Sequence, residues 1–274
     1  MIKFFKMLER QWELDNFVCV GLDSDPAKIP KCVEGESTKD RIIAFNRAIV
    51  EATSDCVCAY KPNMAFYEAH VLNGGMEALY QTILDIKSIA PGVPVILDGK
   101  RADIDNTNIG YVQELNSLGA DAITVNPYLG GEALQPFLDL DKGIIVLCRT
   151  SNKGSGEFQN LIVNGEPLYC YVARQVSGVW NKKGNCAVVV GATCPEEELR
   201  KVREIIGDMP ILIPGIGAQG GDLEKTVIAG QDSWGGGMVI NSSRGIIFAS
   251  NKEDFAEAAC RETLKLRDSI NSYL

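Results

Sequence analysis

Three charged residues follow directly on one apolar run. Asp98, Lys100 and Asp103 come after Val95-Ile96-Leu97 in the segment Val93-Pro-Val-Ile-Leu-Asp98-Gly-Lys100-Arg-Ala-Asp103-Ile-Asp-Asn-Thr107. On a strand, residues two apart share a face, so Asp98 and Lys100 are expected on one side. Asp103 falls just beyond, where the chain enters a helix. Carboxylates beside a lysine favour its ammonium form. An ammonium held in place can stabilise a developing carbanion and then hand it a proton. The spacing therefore suggests proton-transfer or carbanion chemistry on a bound anion. A purely structural alternative is an Asp98–Lys100 ion pair, with Asp103 or Asp105 capping a helix. Desolvating three alternating charges beside a buried strand is costly without a use, which favours the chemical reading.

Such a cluster needs a scaffold. Eight short apolar segments recur along the chain, at 17–22, 57–61, 93–97, 122–125, 143–148, 187–190, 211–213 and 237–240. Most are near-continuous Val/Ile/Leu runs, the pattern of parallel strands buried on both faces. Helical periodicity marks 40–52, 76–89, 106–118, 195–206 and 252–270, with Ser37 or Thr38 available to cap the first. Repeated strand–helix alternation predicts an α/β fold, a (β/α)8 TIM barrel in one domain spanning 1–274; an open doubly wound sheet is the alternative. In a barrel, active sites lie at the C-terminal ends of the strands. The stretch 150–167, rich in Gly, Ser and Asn, follows the fifth strand there and is expected to be a mobile active-site loop.

The totals exclude several classes. A net charge of −9 argues against non-specific binding to nucleic acid or an anionic membrane. No apolar run approaches the roughly 20 residues of a membrane span. Residues 1–14 read as a short amphipathic helix without the apolar core of a signal peptide, so a soluble protein of the cytoplasm, or else of an organelle, is expected. The nine cysteines are odd in number and several lie in apolar runs, which reads as reduced core thiols. Cys56 and Cys58 are expected on one strand face. No cysteine pair has zinc-site spacing, and no metal site is expected. His70 is the single histidine, which rules out a multi-histidine site. It sits in a helical stretch and reads as structural or surface.

The run Gly215-Ile-Gly217-Ala-Gln219-Gly220 formally satisfies the dinucleotide-binding pattern. It lies late in the chain, however, and no acidic residue ends a following strand at the required distance. In a barrel, loops after strands seven and eight commonly grip a phosphate through glycine N–H groups and a helix N-terminus. A monophosphate is the better reading.

Asp98-x-Lys100-x-x-Asp103-Ile104, continued by Asn106 and Thr107, resembles the signature of the orotidine 5′-monophosphate decarboxylase family. Four further stretches match in order: Gly21-Leu-Asp23-Ser-Asp-Pro26, Tyr60-Lys61-Pro-Asn63, Thr150-Ser151-Asn152 and Pro214-Gly-Ile-Gly-Ala-Gln219-Gly-Gly. The resemblance runs from about residue 17 to 248 and is nearest the longer bacterial-type branch. It implies conversion of orotidine 5′-monophosphate to uridine 5′-monophosphate and CO2, with no cofactor and no metal. Asp98 would face the substrate carboxylate, and Lys100 would stabilise and protonate the C6 carbanion. Asp103, with Ile104 and Thr107, would serve the other subunit's site in a homodimer. Asp23 and Lys61 would bind ribose hydroxyls, Ser151 would contact the pyrimidine, and Pro214 would also contact the substrate. Gly217, Gln219, Ser243 and Arg244 would hold the phosphate, Gln219 also bridging toward the pyrimidine.

Two alternatives stay open at this point. One is a Mg²⁺-dependent sugar-phosphate decarboxylase or aldolase-like synthase of the same barrel group. Those relatives hold the cation with an acidic residue near the end of strand two, where this chain has Lys61. The other is a catalytically silent phosphate-binding protein, for which Lys100 would be dispensable.

Overall fold

Val, Ile and Leu pack a pleated surface well on both faces, and the strands they form here enclose a ring. The computed structural model describes residues 1–217 and 221–274. Its main strands are β1 (Val18–Leu22), β2 (Ala59–Pro62), β3 (Ile96–Arg101), β4 (Ala122–Val125), β5 (Gly143–Arg149), β6 (Cys186–Val190), β7 (Ile211–Pro214) and β8 (Met238–Ser242). Hydrogen-bonded neighbours run β2-β1-β8-β7-β6-β5-β4-β3, every pair parallel. Parallel bridges from Tyr60 to Val95 and from Asn63 to Asp98 close β2 onto β3. The (β/α)8 barrel expected from the strand–helix alternation is thus the fold.

Helices Thr38–Thr53, Gly75–Ile89, Asp105–Leu118, Glu196–Ile206 and Phe255–Asn271 lie close to their expected positions. Ser37 caps the first, its hydroxyl accepting the Asp40 N–H at 3.2 Å. Periodicity did not single out Gly130–Leu138, Leu168–Gln175 or Leu223–Gly230, each of nine residues or fewer. Such short helices show too few turns for a face to stand out. The stretch 150–167 is also more structured than its composition suggests. It holds the short helix Gly156–Gln159 and a hairpin pairing Ile162–Val163 with Glu166–Pro167. Asn164 and Gly165 turn that hairpin with φ of 53° and 85°, the Asn-Gly conformation that suits a tight turn.

Two expectations need correction. The third strand does not stop before its charges; β3 carries Asp98, Gly99 and Lys100 within it. Its ladder with β4 shifts register between Leu97 and Arg101, and Lys100 has φ +48°. A bulge, rather than plain alternation, therefore aims the Lys100 side chain. Cys56 and Cys58 do not share a strand face either. Cys56 lies in the turn Ser54–Cys56, and only Cys58 reaches the barrel interior.

That interior is a small apolar cluster of Cys19, Ala59, Ile96, Ala122, Ile145, Leu212 and neighbours, sealed by Phe4, Phe5 and Leu8. The three come from helix Lys3–Trp12, which plugs the N-terminal end of the barrel, opposite the charged strand ends. Gly143 leaves the space the plug needs, since a Cβ there would stand 2.3 Å from the Phe4 ring. Phe4→Ala is expected to lower stability by about 3–5 kcal/mol. A fall in urea midpoint without a change in slope would show it; an unchanged midpoint would mean that the plug contributes little.

Candidate active site

The C-terminal strand ends converge on a cavity of about 450 Å³. Leu147, Val189 and Leu212 form its apolar floor, and Asp98 lines it together with Lys61 and Lys100. Asp98 is buried, at 8% exposure, and Lys61 more so, at 3%. Lys61 Nζ donates to Asp98 Oδ2 at 2.9 Å and Lys100 Nζ donates to Oδ1 at 2.7 Å. The Thr124 hydroxyl gives Oδ1 another hydrogen bond, at 2.8 Å.

Burial alone would raise the Asp98 carboxyl pKa, but the Lys61 and Lys100 ammoniums outweigh it and hold the group well below the ordinary carboxylate range. Burial likewise pulls Lys61 down, and Asp98 with Asp23 reverses this, keeping it charged above the usual lysine range. Beneath them Cys19 is pushed up to about 12 by burial, so its thiol adds no charge at neutral pH. The result is a fixed Lys–Asp–Lys array whose outer ammonium, with its side chain 48% exposed, faces the open cavity.

Asp23, just after β1, lines the same cavity, and its buried Oδ1 has no hydrogen-bond partner among the described residues. Ser151, Pro214, Ser243 and Arg244 line it from the ends of β5, β7 and β8. Gly21 admits Ser243, whose Oγ would lie 1.8 Å from a Cβ on that residue. Gly215 and Gly217 turn the β7 loop with φ of 109° and 80°, a region open chiefly to glycine. Gly215 borders the cavity; Gly217 does not. Gln219 lies outside the described residues. His70, as expected, takes no part in the site.

Asp103, Ile104 and Thr107 do not line their own chain's cavity. Asp103 Oδ1 accepts the Ile104 N–H at 2.7 Å, its own N–H donates to Asn108 Oδ1 at 2.9 Å, and Ile104 is 57% exposed. The third charge of the motif is therefore separated from the first two.

Several lining residues escaped the sequence reading. Thr124 and Asn241 each stand two residues beyond an interior residue, Ala122 and Val239, so alternation along β4 and β8 would have placed both inside. Gln159 gave no such signal, because it works through a fold-back of the loop. Its amide accepts the Thr150 N–H at 2.9 Å and donates to Thr150 Oγ1 at 2.8 Å. Buried Arg149 anchors the same fold-back, donating to Gln159 Oε1 at 3.3 Å and to Glu198 at 2.6 Å. This clasp holds Ser151 at the cavity edge.

The chain is similar along nearly its whole length to known proteins. A protein of Ralstonia pickettii (strain 12J) named orotidine 5′-phosphate decarboxylase is 50% identical over 275 residues, covering 99% of both chains. One of the same name from Azoarcus sp. (strain BH72) is also 50% identical, over 98% of this chain and 99% of its own. The solved structure of Leishmania donovani OMP decarboxylase superposes with a TM-score of 0.82 at 36% identity, over 98% and 99% of the two chains. Leishmania donovani UMP synthase gives a TM-score of 0.83 at 38% identity, and the chain spans 57% of that longer protein. Residues 16–259 match the orotidine 5′-phosphate decarboxylase / HUMPS family as a whole. With that match and relatives of such identity along nearly its full length, the chain belongs to the orotidine 5′-phosphate decarboxylase / HUMPS family.

Proposed function

We propose that this chain is a carboxy-lyase that converts orotidine 5′-monophosphate to uridine 5′-monophosphate and CO2 in pyrimidine biosynthesis. The observation that carries the reading is the buried Lys61–Asp98 pair, joined by the half-exposed Lys100, lining a barrel cavity large enough for a nucleotide. In the reaction the bond from C6 to the carboxylate breaks, CO2 departs, and the electron pair stays on C6. Lys100 stabilises that charge and gives C6 a proton. Because Asp98 already fixes the ammonium, little reorganisation accompanies the charge movement. Asp98 faces the leaving carboxylate, Asp23 and Lys61 take the ribose hydroxyls, and Ser151 and Pro214 border the base. Gly217, Gln219, Ser243 and Arg244 take the phosphate, the guanidinium binding two oxygens in a fork.

Lys61 argues against the Mg²⁺-dependent branch of the same family. Its ammonium stands where that chemistry would need a carboxylate, and it would repel the cation. Purified protein is expected to consume orotidine 5′-monophosphate, followed as loss of absorbance, at the same rate with or without EDTA. Activity abolished by EDTA and restored by Mg²⁺ would reverse the assignment.

The assembly we infer is a homodimer in which Asp103, Ile104 and Thr107 complete the partner's site. Their exclusion from their own cavity and the exposure of Ile104 support it. Lys100→Ala and Asp103→Ala proteins, each nearly inactive alone, should recover activity when subunits exchange, because hybrid dimers contain one intact site. Full exchange without recovery would refute the shared site. We read residues 1–274 as one catalytic domain. No helix among the described residues is long and apolar enough to cross a membrane. All nine cysteines are unpaired, which suits the reducing cytoplasm we propose for it.

A further inference from the structure

We propose that Thr124 is a positioning residue whose hydroxyl sets the location of the Lys100 ammonium from both of its ends. Thr124 is the third residue of β4 and only 1% exposed. Its oxygen donates to Asp98 Oδ1 at 2.8 Å and accepts the backbone N–H of Lys100 at 2.9 Å. Lys100 Nζ returns to the same Oδ1 at 2.7 Å, closing a ring through hydroxyl, carboxylate, ammonium and lysine backbone.

The ring answers a specific need. The β3–β4 ladder slips between Leu97 and Arg101, and Lys100 lies at φ +48°, where non-glycine residues are rare. A backbone held there persists only when its surroundings over-determine it. The N–H released from the ladder is taken by the hydroxyl, which can accept one hydrogen bond while donating another. A valine of the same shape can do neither.

This inference rests on the reading of Lys100 as the group that meets the carbanion. Removing the hydroxyl should let the ammonium wander without touching the phosphate grip at Ser243 and Arg244. Thr124→Val is therefore expected to lower kcat roughly 10- to 100-fold, the penalty of slight misplacement of a reacting group, while KM stays within about threefold. Thr124→Ser, which keeps the hydroxyl and loses the methyl, should remain within about threefold of the parent in both constants.

A role in packing alone predicts the reverse order, with valine tolerated and serine harmful. The proposal is overturned if Thr124→Val keeps its kcat, if its loss appears in KM, or if serine fails to rescue. Should the valine variant not fold, Thr124→Cys, a weak donor of similar size, carries the same expectation. Lys100→Ala measured alongside separates the two levels. Free turnover by that variant sinks the carbanion reading itself; an inactive Lys100→Ala beside an unaffected Thr124→Val sinks only the role of Thr124.

Discussion

Lys100→Ala is expected to abolish turnover, by at least about 10⁴-fold, while leaving the protein as stable as its parent. The two halves of that result have separate causes. A positioned proton donor contributes on the order of 10² to 10⁴ in rate, and a fixed charge aimed at a developing anion about 10² to 10³ more. Among the described residues, Lys100 is the half-exposed ammonium of the cavity, placed to supply both. Its contribution to folding is small by comparison. The side chain is 48% exposed, and Asp98 would keep Lys61 at 2.9 Å and the Thr124 hydroxyl at 2.8 Å. The backbone at φ +48° is as unfavourable for alanine as for lysine, so the substitution brings no conformational gain. Lys100→Arg should not rescue, because a guanidinium keeps its proton under all working conditions. Single-turnover absorbance measurements together with urea unfolding would test both halves. Substantial residual turnover, or a fold that collapses with the lysine, would each contradict the assignment.

The scaffold behind that prediction was legible because buried parallel strands leave a strong mark. Runs such as Ile144-Ile-Val146 and Ala187-Val-Val-Val190 have no polar face, and eight of them between helices leave few architectures. Asp98 and Lys100 were legible as a pair for the opposite reason: charge where strand periodicity would put more apolar residues. The path of β3 was not. The bulge that turns Lys100 arises from a register slip against β4, a relation between distant segments that spacing along one strand cannot reveal. Thr124 was overlooked because threonine is an ordinary strand residue; only its two partners give it meaning. The substrate was never in the periodicity at all. It came from five motifs in order, and then from relatives that match nearly end to end.

Asp98→Ala should do what Lys100→Ala does not, removing activity and stability together. Lys61 is 3% exposed and, among the described residues, donates to Asp98 alone, so deleting the carboxylate strands a buried ammonium. Breaking a buried pair from one side costs about 3–5 kcal/mol. Lys61→Met should cost less, because Asp98 would still hold Lys100 and Thr124. The pH dependence separates this account from simple loss of packing. In the parent, Lys61 is held above its ordinary 10.5, so its contribution is complete below that pH and is lost as pH rises through the raised folded value. Asp98, held below its ordinary 3.8, contributes fully above that pH and loses its share as pH falls through the depressed folded value. Between those limits the pair makes stability flat. Without Asp98, only Asp23 is left to offset burial, the largest influence on Lys61, so Lys61 is expected to fall below 10.5 in the folded state and the unfolded chain to bind more protons beneath that value. Stability of Asp98→Ala should then climb as pH rises toward 10.5, where the parent gains nothing from this pair. Urea midpoints measured across pH check this: profiles that run parallel in the two proteins would contradict the prediction and mean that Lys61 reaches solvent once its partner is gone.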